Sequence, residues 1–167
     1  MNFKKKIITV FTRFFLFLFL IVFVACAGSL DTYRGKTADP NSRIALHGGS
    51  HIGVWQTDDL TVKYSYLRKP NYLQISGEVA LKDKLTDASD IVQEFFLEVN
   101  FLSAAGRALG TKELAIAGYR EPQTKWDFDY NFELPARTTA MAFSYNGQMG
   151  AGAGEGLAEQ FWHNPFQ

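Results

Sequence analysis

Lys125-Trp126-Asp127-Phe128-Asp129-Tyr130-Asn131-Phe132-Glu133-Leu134 alternates without a break between apolar and polar side chains. Successive side chains of an extended strand point to opposite faces. The stretch therefore predicts a strand with Trp126, Phe128, Tyr130, Phe132 and Leu134 turned to a core and Asp127, Asp129, Asn131 and Glu133 turned to water. Wound as a helix, the same five apolar residues would scatter around the cylinder. Pro135 cannot continue a sheet ladder and closes the strand.

The same two-residue period recurs on either side. Leu60 to Tyr66 aligns Val62, Tyr64 and Tyr66, and Lys69-Pro70-Asn71 supplies a turn. Tyr72 to Lys82 aligns Leu73, Ile75, Val79 and Leu81, with Gly77 as an expected bulge. Val92 to Ser103 aligns Phe95, Leu97, Val99 and Phe101, and Ala104-Ala105-Gly106-Arg107 reads as the next turn. Leu109 to Tyr119 is a weaker strand around Leu114 and Ile116, Thr138 to Asn146 aligns Met141, Phe143 and Tyr145, and Leu157 to His163 is a last short strand. Lys82 to Ile91 is the one helical candidate. About seven or eight strands at roughly 8–12-residue spacing predict an all-β fold, an antiparallel immunoglobulin-like β-sandwich.

The chain opens differently. Lys4, Lys5, Lys6 and Arg13 precede an unbroken apolar run from Phe14 to Ala25. That run is shorter than the roughly 20 residues a permanent membrane helix needs and suits the core of a signal peptide. The sole cysteine, Cys26, follows at once, in Phe23-Val24-Ala25-Cys26-Ala27. This segment resembles the type II signal peptide of bacterial lipoproteins, whose lipobox ends in a cysteine; Phe23 stands where Leu is usual. The resemblance implies cleavage before Cys26, a diacylglycerol thioether on its sulfur and, from Ala27 in place of Asp, the outer rather than the inner membrane. Each buried acyl methylene contributes about 0.8 kcal/mol, so two or three chains anchor far better than one. An uncleaved membrane anchor is the competing reading.

The expected organisation is a signal peptide over 1–25, a lipidated Cys26 with a flexible tether over 26–52, and a β-sandwich over 53–167. Residues 27–52 are rich in Gly, Ser, Thr, Asp, Asn and Pro and sustain no period, although the last part could lie on the domain. The four cations at the start lie before Cys26 and all 17 acidic residues lie after it, so the mature chain carries 13 of the 17 basic residues against 17 acidic, a net charge of −4. That leaves no basic surplus for nucleic acid. One cysteine also excludes intramolecular disulfides, thiol catalysis and cysteine metal ligands in the domain.

Few residues offer chemistry. His47 and His51 flank Gly48-Gly49-Ser50, and His163 lies near the end of the sequence; all three are weak candidate metal ligands. Asp127 and Asp129 share a strand face about 7 Å apart and, with Glu133, could help hold Ca²⁺ or simply face water. Gly147 to Gly156 has the glycines of a phosphate loop but neither its lysine nor a following helix, and is expected to be a long hairpin loop with Met149 exposed. Trp55, Phe96 and the segment Phe161-Trp162-His163-Asn164-Pro165-Phe166 could form a sugar or protein contact patch. No Ser-His-Asp or Cys-His arrangement is legible. Phe95 to Arg107 also resembles the central strand and turn of immunoglobulin-like (FxLYD-like) domains in bacterial lipoproteins, with Ser103 and Ala104 where an acidic residue is usual; such domains carry no catalytic motif.

These readings lead to a non-enzymatic, lipid-anchored periplasmic β-sandwich without a cofactor, serving as an assembly, adaptor or envelope-structural module with an envelope protein as partner. The alternative is a ligand-binding lipoprotein for carbohydrate or a metal ion.

Overall fold

Nine strands form two antiparallel sheets in the computed structural model, which describes residues 32–87, 91–121, 123–150 and 158–166. In chain order they are β1 (Ile44–Ala45), β2 (Gly49–Gln56), β3 (Leu60–Lys69), β4 (Tyr72–Leu81), β5 (Ile91–Leu102), β6 (Ala108–Glu121), β7 (Lys125–Glu133), β8 (Ala140–Gly150) and β9 (Glu159–His163). A four-residue helix, α1 (Asp83–Thr86), follows β4. One sheet runs β2-β3-β4-β7. The other runs β6-β5-β8, and β1 and β9 share the far edge of β8. The expected all-β sandwich is the observed fold.

The alternating residues make the core between the sheets. Val62, Leu73, Ile75 and Val79 from one sheet and Phe95, Leu97, Val99 and Phe143 from the other are wholly buried in a single cluster. Aromatic rings join the layers: Phe95 stacks on Trp126 at 4.9 Å, and Tyr64 meets Phe143 edge-on at 5.3 Å. Such pairs add about 0.5–1.5 kcal/mol beyond their area.

A second, smaller cluster covers the outer side of β8. Ala38, Leu102, Ala108, Ala142 and Phe166 pack there, with Tyr33 stacked on Phe166 at 4.7 Å. The segment that carries Tyr33 and Ala38 is tied down by backbone bonds to Ala108, Gly106 and Pro165. With both faces covered, residues Met141 to Tyr145 are all buried, not only those of one parity.

Several expectations are corrected. The folded unit begins at Tyr33, well before the boundary expected at 53. Residues 33–52, read as part of a tether, instead contribute the covering segment, β1 paired with β8 and the first half of β2 paired with β3. Their order comes from partners distant in sequence, which local composition does not encode. Gly77 is not a bulge: register runs unbroken from Glu78–Lys63 through Gly77–Tyr64 to Ser76–Ser65. A Cβ at Gly77 would strike the Lys63 carbonyl and sit 2.9 Å from the Phe128 ring, so the glycine serves close packing.

The β5–β6 ladder shifts register at three places, and at the middle one Glu98 pairs with Glu113 and Leu97 with Ala115, leaving Leu114 as the extra residue of a bulge in β6. It switches the parity of the strand. Leu114, Ala115 and Ala117 are buried and Ile116 is turned out, 57% exposed. Tyr130 has the inward parity yet is 41% exposed, stacked on Phe132 near the edge formed by β7. Met149, expected on an exposed loop, is fully buried, because Gly147 to Gly150 continue β8 opposite β5 and β9. Residues 151–156 of that glycine-rich stretch lie outside the described residues.

Candidate functional site

β2 is the edge of the four-stranded sheet, and its sequence, Gly49-Ser50-His51-Ile52-Gly53-Val54-Trp55-Gln56, carries no carboxylate, lysine, arginine or proline. His51, Gly53 and Trp55 take one side of the strand. Ile52 and Val54 point the other way and are 89% and 57% exposed. Register sets Ser50 beside Leu67 and Gln74, and Ile52 beside Ser65 and Ser76. These six residues, together with His51 and Tyr66, line a shallow groove of about 670 Å³ on β2, β3 and β4. Apart from His51, its polar side chains are hydroxyls and an amide, and the Ser65 and Ser76 hydroxyls are 3.1 Å apart. Charge begins at its border, with Asp129 of β7 beside Ser76 in the same row and Lys63, Glu78 and Asp127 in the adjoining row.

The histidines separate into two places. His47 and His51 lie 5.7 Å apart between ring centroids, where β2 starts. His51 stacks on Tyr66 at 5.1 Å, and its Nε2 is 3.1 Å from the Gly48 carbonyl. The i, i+4 spacing thus brings two rings together, but through a turn into a strand rather than on a helix. His163 belongs to another cluster, beside Trp55 and Tyr145. Among the described residues no three His, Cys, Asp or Glu side chains are grouped to hold a metal ion. Asp127, Asp129 and Glu133 are exposed along β7, as alternation requires.

The aromatic candidates do not assemble into one patch. Trp55 is half-buried against Phe143 and His163, Phe161 and Phe166 are buried, and Trp162 is 68% exposed on β9. Cys26 and the apolar run before it lie outside the described residues. Among the described residues, no helix is long and apolar enough to cross a membrane.

Beside the end of β2, a polar clasp joins the two sheets. The Tyr145 hydroxyl donates to Asp59 Oδ2 at 2.7 Å and so accepts from Thr57 Oγ1 at 2.9 Å. Thr57 Oγ1 in turn accepts the backbone N–H groups of Asp59 and Leu60. Burial holds the Tyr145 phenol far above its usual range, so it stays a neutral donor. Tyr145→Phe is expected to lower stability by about 1.5–3 kcal/mol, the range for a hydrogen bond to a charged group. The lower end is expected, because Asp59 retains some solvent and lies 4.0 Å from Lys84 Nζ. A urea midpoint that falls with unchanged slope is the check.

His163 stacks on Tyr145 in the same clasp, and its Nε2 is buried with no hydrogen-bond partner among the described residues. Burial pushes its pKa below the usual value, partly opposed by Asp59. The unfolded chain then binds this proton more readily than the folded one. The contribution of neutral His163 is complete above the unfolded value of about 6.5 and is lost progressively as pH falls below it. Melting temperature should drop between pH 7.5 and 5.5, and His163→Phe should flatten that drop.

Sequence reasoning missed the β2 edge. Ile52 and Val54 alternate, but the boundary expected between residues 52 and 53 cut through the strand, with Gly48 and Gly49 assigned to the tether. No protein-family model matches this chain and no curated protein matches it.

Proposed function

We propose that this chain is a non-enzymatic, lipid-anchored β-sandwich of the bacterial envelope, facing the periplasm, that docks a protein along the edge and outer face of β2. The observation that carries this reading is an eight-residue edge strand without carboxylate, lysine or arginine, bearing exposed Ile52 and Val54 beside a groove whose lining also has none. An edge strand offers a row of unpaired N–H and C=O groups that another chain can extend, with pockets beside it to read alternate side chains. The lipobox ending in Cys26 supports the anchor, and Ala27 favours the outer membrane.

A photo-cross-linking residue at position 52, in cells, tests the docking. A protein adduct is expected from position 52 and not from position 112 on β6; no adduct from 52 would end the reading. Cys26→Ser tests the anchor and is expected to abolish fatty-acid labelling and leave the precursor uncut. One second reading has support of its own: the hydroxyls of Ser50, Ser65 and Ser76 with the Gln74 amide suit a carbohydrate. A sugar that raises the melting temperature, when it binds only the folded state, would favour that reading.

A further inference from the structure

We infer that the occupant of the β2 edge is a second copy of this chain, paired β2 to β2 antiparallel about a two-fold axis at Gly53, so that two four-stranded sheets become one of eight strands. This rests on the docking reading above and names its partner.

The edges of the two sheets differ in kind. β7, the opposite edge of the same sheet, exposes Lys125, Asp127, Asp129 and Glu133. β6 exposes Lys112 and Glu113 and is interrupted by the Leu114 bulge; Lys112 lies across from core residue Val99 and still reaches solvent. The far edge of β8 is taken by β1 and β9. Charges, inward-pointing charges and bulges are the devices that keep edges from associating. β2 has none of them, and two copies would set no like charges against each other.

Backbone geometry limits how they can pair. The Thr57 N–H bonds the Leu60 carbonyl at 3.0 Å, in line with the β2–β3 register. Hydrogen-bonded and non-bonded positions alternate along an antiparallel pair. Residues 51, 53 and 55 therefore bond β3, and the N–H and C=O groups of Ser50, Ile52, Val54 and Gln56 face the free edge. A second β2 must set even positions against even positions, which places residue 52, 53 or 54 on the two-fold axis. An axis at Gly53 pairs Ile52 with Val54 of the partner copy, and Ser50 with its Gln56. Apolar meets apolar and polar meets polar, and His51 comes opposite Trp55. An axis at residue 52 would set Val54 against Ser50, and one at 54 would set Ile52 against Gln56.

The test uses the full-length chain in detergent, with Cys26→Ser removing the native thiol. Chains carrying Ile52→Cys and chains carrying Val54→Cys, differently tagged, are mixed and oxidised. Hydrogen-bonded partners lie about 5.5 Å apart at Cα, within disulfide reach. Like positions lie on the diagonal at about 7–8 Å, beyond it. The mixed disulfide is expected in clear excess over either symmetric one. Val54→Lys is expected to weaken dimerisation about tenfold or more, with a melting temperature equal to that of the wild type at dilutions where both are monomeric. Equal yields of all three disulfides would overturn the pairing, as would a wild-type chain that is monomeric by light scattering. A monomer that still cross-links a different protein from position 52 removes the self-pairing and leaves docking standing, whereas a monomer with no adduct removes both.

Discussion

Phe95→Ala should remove about 3–5 kcal/mol of stability, the range for deleting a large aromatic from a core. Phe95 is wholly buried in β5 and touches both sheets: it stacks on Trp126 of β7 at 4.9 Å and lies 6.0 Å from Phe161 of β9. Truncation would leave a void lined by rings anchored on different strands, which cannot close together. Domains of this size are stable by only about 5–15 kcal/mol. The variant should therefore lose much of its folded population at moderate urea. Ile116→Ala is the matched control, since a residue 57% exposed on β6 should change stability far less. Equal effects from the two substitutions would refute the assignment of the core.

Asn100→Asp is the second large change, expected to cost about 3 kcal/mol or more at neutral pH, as when a buried charge is left uncompensated. Asn100 is wholly buried on the outer side of β5. Its amide nitrogen donates to Ser144 Oγ at 2.8 Å and to the Ala142 carbonyl at 3.4 Å, and its oxygen accepts from Thr111 at 2.8 Å. The Ser144 hydroxyl in turn donates a hydrogen bond to Glu98 Oε2 at 3.0 Å. A carboxylate keeps the shape, loses both donated bonds and puts a negative charge one hydroxyl away from another. Burial and Glu98 would raise the pKa of the new group above the unfolded value of about 3.9. The penalty is then full above that raised pKa and is relieved as pH falls through it. The gap in urea midpoint between variant and wild type should be wide at pH 7.5 and narrower at pH 5. A gap that ignores pH would mean that the carboxylate reaches water.

Alternation carried the fold from Leu60 onward because strands buried on one face write their packing into every second residue. It failed where packing is not local. The outer cover over β8 makes Ala142 and Ser144 as buried as Met141 and Phe143, yet nothing near them in sequence announces it. Leu114 and Ile116 look like one face until the bulge opposite Glu98 separates them. Tyr130 keeps its parity but lies near an edge, where parity no longer guarantees cover. The candidate site was less legible still. The glycines between His47 and His51 pointed to solvated loop residues, whereas the two rings meet at the start of a strand with a neighbour on one side only. Being an edge is a property of sheet order, and no window of sequence contains it.

The bridge between Ala38 and Phe166 has a kinetic consequence. It pairs the first described segment with the last, giving the cover over β8 the longest loops in the molecule to close. Folding rates fall as contact order rises, and all-β domains of this kind fold in about milliseconds to seconds. A chain emerging in order from a ribosome or a membrane pore can assemble the β2-β3-β4 meander early, but it cannot seal this cover until Phe166 has been released. Until then, Ala142 and Leu102 remain solvent-facing on an otherwise complete sheet.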